Sequence, residues 1–203
     1  MPNEWLRQRR KDHFHRLAKA QGFRTRASFK LLQMVKRYGF LKHGDQVLDL
    51  GAAPGGWLQA ARQVVGEAGY VVGVDRQPIA PLDYENVVTI MADIMEPSLL
   101  EQIRVRWAGR FDVVISDLSP NVSGVWGLDH ARQIELAKHA LKIARELLEL
   151  SGNVLVKVFQ GSELKEFQSD VKTSFRTVRI VKPAASRPES SELYLLGLGF
   201  VGQ

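Results

Sequence analysis

From residue 46 onward the chain alternates short apolar runs with longer stretches of helical spacing. The apolar runs predict strands at Gln46–Leu50, Tyr70–Val74, Val87–Met91, Phe111–Ser116, Asn153–Phe159, Thr177–Lys182 and Leu193–Gly199. Helical stretches fall between them, near 56–66, 97–106, 129–150 and 161–172; the longest puts Ala137, Ala140, Leu141, Ala144, Leu147 and Leu148 on one face. Ahead of the first strand, Ala27, Leu31, Met34, Val35 and Tyr38 recur at three- and four-residue steps, and Gly39 stops that helix. Residues 1–22 are polar and basic, as in a surface helix or arm. Buried strands alternating with helices specify an α/β, doubly wound, mostly parallel sheet with helices on both faces. The last two strands are separated only by Pro183–Glu192, too short and polar for a crossover helix. They form a hairpin, which reverses the final strand. Seven strands with one antiparallel define a Rossmann-like sheet. The expectation is a single domain, 1–203, with a basic arm and helix over 1–42 and the core over 43–203.

The turn after the first strand is the most informative segment. Asp49-Leu50-Gly51-Ala52-Ala53-Pro54-Gly55-Gly56-Trp57 runs from an apolar strand through three glycines and a proline into a helix. At the carboxyl end of a strand in an open sheet, such a turn lets backbone approach a nucleotide-like ligand. It lacks the G-x-G-x-x-G spacing of dinucleotide enzymes, since no second glycine stands two residues after Gly51. A cofactor without a pyrophosphate fits better, with S-adenosylmethionine (SAM) leading, and the sheet is the one SAM-dependent methyltransferases use. Three acids end successive strands around the same crevice. Asp75 is placed for both ribose hydroxyls of an adenosyl group, Asp93 for the adenine edge and Asp117 for the methyl-donor end. One such acid is commonly a helix cap; three in register point to a polar ligand. Asp49, inside the first strand, reads as structural, bonding amides of the turn.

Composition narrows the chemistry. The chain has no cysteine, which excludes disulfides, thiolate catalysis and cysteine-ligated metals, and its five histidines show no metal-ligand spacing. A metal-independent, cytoplasmic protein without a membrane span or signal peptide is expected. The net charge of +6 is uneven: residues 1–42 hold 12 Lys and Arg against Glu4 and Asp12, a net of +10, so the rest is net negative. That arm, with Trp5, Phe14, Phe23 and Phe29 interleaved, reads either as a solvated charged segment or as a footprint for a polyanion.

Lys157 interrupts the apolar strand Val154-Leu155-Val156-Lys157-Val158-Phe159, where a buried ammonium needs a partner or a chemical role. With it the residues accumulate into a resemblance. The segments 49–57, Ser116-Asp117-Leu118-Ser119-Pro120-Asn121-Val122-Ser123-Gly124, the strand carrying Lys157, Ser191-Glu192-Leu193-Tyr194 and Arg24-Thr25-Arg26-Ala27-Ser28-Phe29-Lys30-Leu31 are similar to the FtsJ/RrmJ ribose 2′-O-methyltransferases. The likeness covers nearly the whole chain in order. It implies that Lys30, Asp117, Lys157 and Glu192 fill that family's Lys-Asp-Lys-Glu tetrad. It also implies that Gly55, Trp57, Asp75, Asp93 and Asp117 match its SAM-contacting positions.

A sulfonium methyl is already activated, so alignment with a 2′-oxygen, worth roughly 7–11 kcal/mol, and management of one proton are what remain. A lysine must be neutral to accept that proton, and at pH 7 this costs an ordinary lysine about 4–5 kcal/mol. Lys157 is expected to be the base with Asp117 orienting it, while Lys30 and Glu192 hold the ribose. The resemblance implies an RNA partner, a uridine of large-subunit ribosomal RNA within the ribosomal subunit, bound by a monomer. A tRNA target in the same family and a non-catalytic RNA-binding protein on the same fold are the alternatives. The chain ends without an appended RNA-binding domain, so selectivity would rest on RNA shape and an exposed nucleotide.

Overall fold

The computed structural model describes residues 13–187 and 190–202. Seven strands form one sheet: β1 (Gln46–Leu50), β2 (Tyr70–Asp75), β3 (Val87–Met91), β4 (Phe111–Ser116), β5 (Leu148–Phe159), β6 (Phe175–Val181) and β7 (Glu192–Phe200). Their order is β3-β2-β1-β4-β5-β7-β6. β7 is antiparallel to both β5 and β6, and the remaining pairs are parallel. Among the described residues six helices flank the sheet: α1 (His13–Ala20), α2 (Ala27–Tyr38), α3 (Gly56–Val65), α4 (Leu99–Arg106), α5 (Trp126–Leu147) and α6 (Leu164–Lys172). The seven-stranded sheet with one reversed strand is the architecture expected from the hydrophobic pattern.

Successive residues of each buried strand feed opposite layers, as a pleat of period two requires. Val47, Val113, Ile115 and Leu155 join Leu31 and Met34 of α2 and Leu58 and Ala61 of α3 on one face. Leu48, Val114, Val154 and Val156 join α4, α5 and α6 on the other. Strands sandwiched this way bury both faces, which explains runs that are apolar throughout.

Several boundaries shift by one to three residues from the sequence reading, β6 among them, at Phe175–Val181 instead of Thr177–Lys182, and three differences bear on the site. α5 starts three residues earlier, at Trp126, because the Asp129 carboxylate bonds the Ser123 and Gly124 amides from inside the first turn. β5 begins at Leu148 rather than Asn153, and the register against β4 shifts between Phe111 and Val113. Ser151 takes a φ of 67° beside Gly152 at that irregularity, while Leu147, Leu148 and Leu150 extend an apolar pattern that reads as helix. The last strand gains one residue at each end, Glu192 by pairing with Phe159 and Phe200 by pairing with Phe175.

The seat of α2 on the glycine turn positions everything that follows. Ser28 is fully buried and donates from Oγ to the Gly56 carbonyl at 2.8 Å. A Cβ at Gly56 would lie 2.1 Å from Thr25 Oγ1 and 3.0 Å from Ser28 Oγ, so this approach requires glycine. The part of the expected basic arm over residues 1–12, including Trp5 and the first basic cluster, lies outside the described residues. Among the described residues no helix is long and apolar enough to cross a membrane.

Gly56→Ala is therefore expected to push α2 off the turn and destabilise the fold by about 1–3 kcal/mol, as overpacking does. For a chain of this size that lowers the melting temperature by roughly 2–12 °C, read by scanning calorimetry; an unchanged midpoint would contradict the tight seat.

Candidate active site

The glycine turn hangs from the end of β2. The amides of Gly51 and Ala52 donate to the Val74 carbonyl at 2.9 and 3.1 Å, and the Ala53 amide donates to Asp75 Oδ2 at 2.9 Å. Gly51 has a φ of 84°, and a Cβ there would stand 3.0 Å from the Leu118 backbone nitrogen, so the turn after β4 closes against it. On the outer side Arg24 donates to three carbonyls, Pro54 at 2.9 Å, Ala80 at 2.7 Å and Pro81 at 2.6 Å. Gly55 leaves the space that this guanidinium fills.

Beyond the carboxyl ends of β1, β2, β3 and β4 lies a cleft of about 470 Å³, within the size range of small-ligand sites. Asp75, Asp93 and Asp117 all line it, with Gly51, Ala53, Asn121 and Arg132. Asp75 also accepts the Gln77 amide at Oδ1, and Asp93 accepts the Met95 amide, so each acid shapes its own loop as well as the cleft. Gly55 and Trp57 stand behind the wall. Trp57 is buried, donates its indole N–H to the Ala27 carbonyl at 2.8 Å and packs on the Tyr194 ring.

Asp49 departs from the expectation that it bonds the turn. It is fully buried and neither carboxylate oxygen has a hydrogen-bond partner among the described residues. The amides above it are taken by Val74 and Asp75 instead. Burial first, then the nearby charges of Asp117 and Asp75, hold its carboxyl well above the usual carboxylate range.

The four residues of the resemblance's tetrad come together beside the cleft, with Asp117 alone among them lining it. Lys157 is buried and its Nζ donates to the Asp117 backbone carbonyl at 2.6 Å, with Asp117 Oδ1 at 3.4 Å. Lys30 reaches from α2 to Glu192 Oε1 at 2.5 Å. Tyr194 stands between the pairs, its hydroxyl 2.7 Å from Asp117 Oδ1 and 3.1 Å from Glu192 Oε1. One phenolic proton serves one acceptor at a time, and the shorter distance assigns it to Asp117. Glu192 Oε1 is already supplied by Lys30 and by the Ser186 hydroxyl at 3.1 Å. Burial, and after it the two carboxylates, push the Tyr194 phenol well above its usual value, so it stays neutral.

Two residues that sequence reasoning left out belong to this assembly. Tyr194 had a legible signal: two positions after Glu192 on a strand, it leaves the same face. Gln133 had none. From α5 its Nε2 donates to the Lys157 carbonyl at 2.9 Å and the Leu118 carbonyl at 3.2 Å, tying β5 to the turn after β4. That turn is also anchored by Asp129, whose carboxyl is held below the usual range chiefly by the Ser123 amide. Among the described residues no His, Asp or Glu cluster could hold a metal ion.

Residues 23–200 match the model of the FtsJ-like methyltransferase family. The chain belongs to that family. The ribosomal RNA large subunit methyltransferase E of Methanocaldococcus jannaschii is 46% identical over 202 residues, 98% of this chain and 82% of that one. A structure described as a ribosomal RNA methyltransferase from Plasmodium falciparum superposes with a TM-score of 0.80 at 25% identity, covering 89% of this chain and all of that one. Aeropyrum pernix fibrillarin, solved with SAM, shares the fold at a TM-score of 0.60 and 16% identity, covering 86% of this chain and 75% of that one. As an FtsJ-like methyltransferase the chain is an enzyme, and the family expectation drawn from its motifs holds.

The buried acid gives this methyltransferase a specific pH dependence. With its native pKa raised, Asp49 stays protonated in the fold while the unfolded chain ionises, so stability falls as pH climbs above the unfolded pKa near 3.8. Asp49→Asn removes that ionisation. In the ligand-free protein, its melting temperature relative to wild type is expected to rise between pH 4 and pH 8. A gap constant across that range would mean Asp49 is ionised in the fold.

Proposed function

We propose that the chain is a SAM-dependent ribose 2′-O-methyltransferase acting on large-subunit ribosomal RNA, a cytoplasmic enzyme working on RNA within the ribosomal subunit. Substrate and class are supported by its relatives, whose name is ribosomal RNA large subunit methyltransferase E. The observation that carries the chemistry is the pair of lysine–carboxylate contacts meeting at Tyr194 beside an acid-lined cleft.

The cleft's chemistry fits SAM. Asp75, Asp93 and Asp117 offer acceptors for hydroxyls and amines, and Arg76 and Arg132 in the same lining offer donors for a carboxylate. Gly51 provides a floor that any side chain would fill against Leu118. Asp75 would hold the ribose of the cofactor, Asp93 its base and Asp117 its amino-acid end, with Gly55 and Trp57 shaping the wall behind. Bound there, SAM supplies a methyl group on a positively charged sulfur.

The chain's own residues then position the acceptor and take one proton. Lys157 Nζ is held at the Asp117 carbonyl, at the cleft's edge, where a 2′-hydroxyl could pass its proton to the neutral amine. The Asp117 carboxylate, 3.4 Å away, stabilises the ammonium that results. Lys30 and Glu192, joined directly, orient the ribose from the α2 side. The arm over 1–42 and the core over 43–203 act as one domain in this reading, the arm supplying positive charge. Part of that charge is committed within the protein, since Arg24 and Arg26 donate to backbone carbonyls.

The test is transfer of labelled methyl from SAM to unmodified large ribosomal subunits, naked rRNA and bulk tRNA, read by nucleoside mass spectrometry. Label in 2′-O-methyluridine of the ribosomal material is expected. Lys157→Met should lose roughly 10²–10⁴-fold in turnover, the usual contribution of a general base, with SAM affinity retained. Near-normal turnover in that variant would remove Lys157 from the role of base, and label confined to tRNA would move the substrate.

A further inference from the structure

We propose that Trp126 and Phe159 form a stacking platform for an unpaired base next to the acceptor nucleotide, an inference that rests on the RNA reading above. Trp126 opens α5 and remains 49% exposed, although it is the largest apolar side chain on that turn. Its ring lies 6.0 Å from that of Phe159 at an interplanar angle of 23°, and 6.2 Å from that of His130 at 25°. His130 is buried and accepts the Glu163 amide at Nε2, so it supports the indole from a fixed position. Gly161 makes room for it: a Cβ there would stand 2.4 Å from the imidazole. The indole N–H has no hydrogen-bond partner among the described residues. The result is a rigid, near-parallel aromatic layer with an open side.

Its location gives it meaning. Phe159 ends β5 two positions after Lys157, one pleat repeat or about 6.6 Å along the strand. It also pairs in register with Glu192. The platform therefore borders both halves of the candidate site. Lys157 is buried, so a 2′-oxygen reaches it most directly from a nucleotide turned out of its strand, and the base beside that nucleotide is then left without a stacking neighbour. Aromatic side chains are what proteins use to hold single-stranded bases. Val122, Val125 and Leu128 near the platform are exposed as well, but five part-exposed side chains fall short of the roughly 800 Å² per partner that a stable protein contact buries.

The experiment compares wild type, Trp126→Ala and Trp126→Phe in binding a labelled single-stranded oligouridine across a salt series. SAM affinity, methyl transfer to unmodified large subunits and self-association by sedimentation are measured in parallel. Trp126→Ala is expected to weaken oligouridine binding roughly 5- to 150-fold, the effect of losing one base–aromatic stack. Trp126→Phe should restore most of it, with SAM affinity and the salt slope unchanged because no phosphate contact is lost. Wild-type transfer to RNA together with undiminished oligouridine binding by Trp126→Ala would overturn the platform alone. A reduced salt slope in that variant would overturn it too, as would loss of self-association with RNA binding intact, which would make the patch a protein contact. A wild-type enzyme with no affinity for RNA would overturn both this inference and the reading beneath it.

Discussion

The candidate site depends on the register of one antiparallel strand. β7 inserts between β5 and β6 so that Lys157 faces Tyr194 and Phe159 faces Glu192. A slip of one residue would send Tyr194 and Glu192 to the opposite face of the sheet, away from α2 and from Lys30. The register is fixed from both sides. Tyr194, Leu196 and Val181 pack into the layer under α2 and α3, while Leu195 and Phe200 pack into the layer under α5 and α6. Apolar burial thus sets a position that polar chemistry then uses.

Charge in the site is arranged in two regions of different character. At the tetrad each lysine has a carboxylate within reach, and Tyr194 separates the two pairs, its hydroxyl donating to Asp117 and lying 3.1 Å from Glu192. Behind the cleft wall Asp49 is buried without a hydrogen-bond partner among the described residues, and burial, with Asp117 and Asp75 nearby, raises its pKa. The cleft lining carries Asp75, Asp93, Asp117 and Glu135 alongside Arg76 and Arg132, a mixed set suited to a ligand that bears both signs of charge.

Much of this was legible in the sequence because strand pattern and loop chemistry are local. The glycine turn, the acids at the strand ends and the reversed last strand follow from runs of fewer than ten residues, and the structure brings Lys30, Asp117, Lys157 and Glu192 together. What the sequence concealed depends on who sits opposite whom. Asp49 was expected to bond the turn, but those amides had nearer acceptors in β2. Gln133 bridges β5 and the turn after β4 from the middle of a helix, where nothing in its neighbours marks it. Arg24 and Arg26 read as surface charge, yet their guanidinium groups serve backbone carbonyls 30 to 159 residues away.

The Arg24 clamp has a mechanical consequence. One guanidinium holds the glycine turn at Pro54 and the segment after β2 at Ala80 and Pro81, and its own backbone amide is held by Gln59 of α3. The same short stretch of chain leads directly into α2, which carries Lys30. Arg24 therefore ties the stretch that leads into α2, the glycine turn and the segment after β2 at a single residue, so the helix carrying Lys30 and this side of the cleft share one anchor.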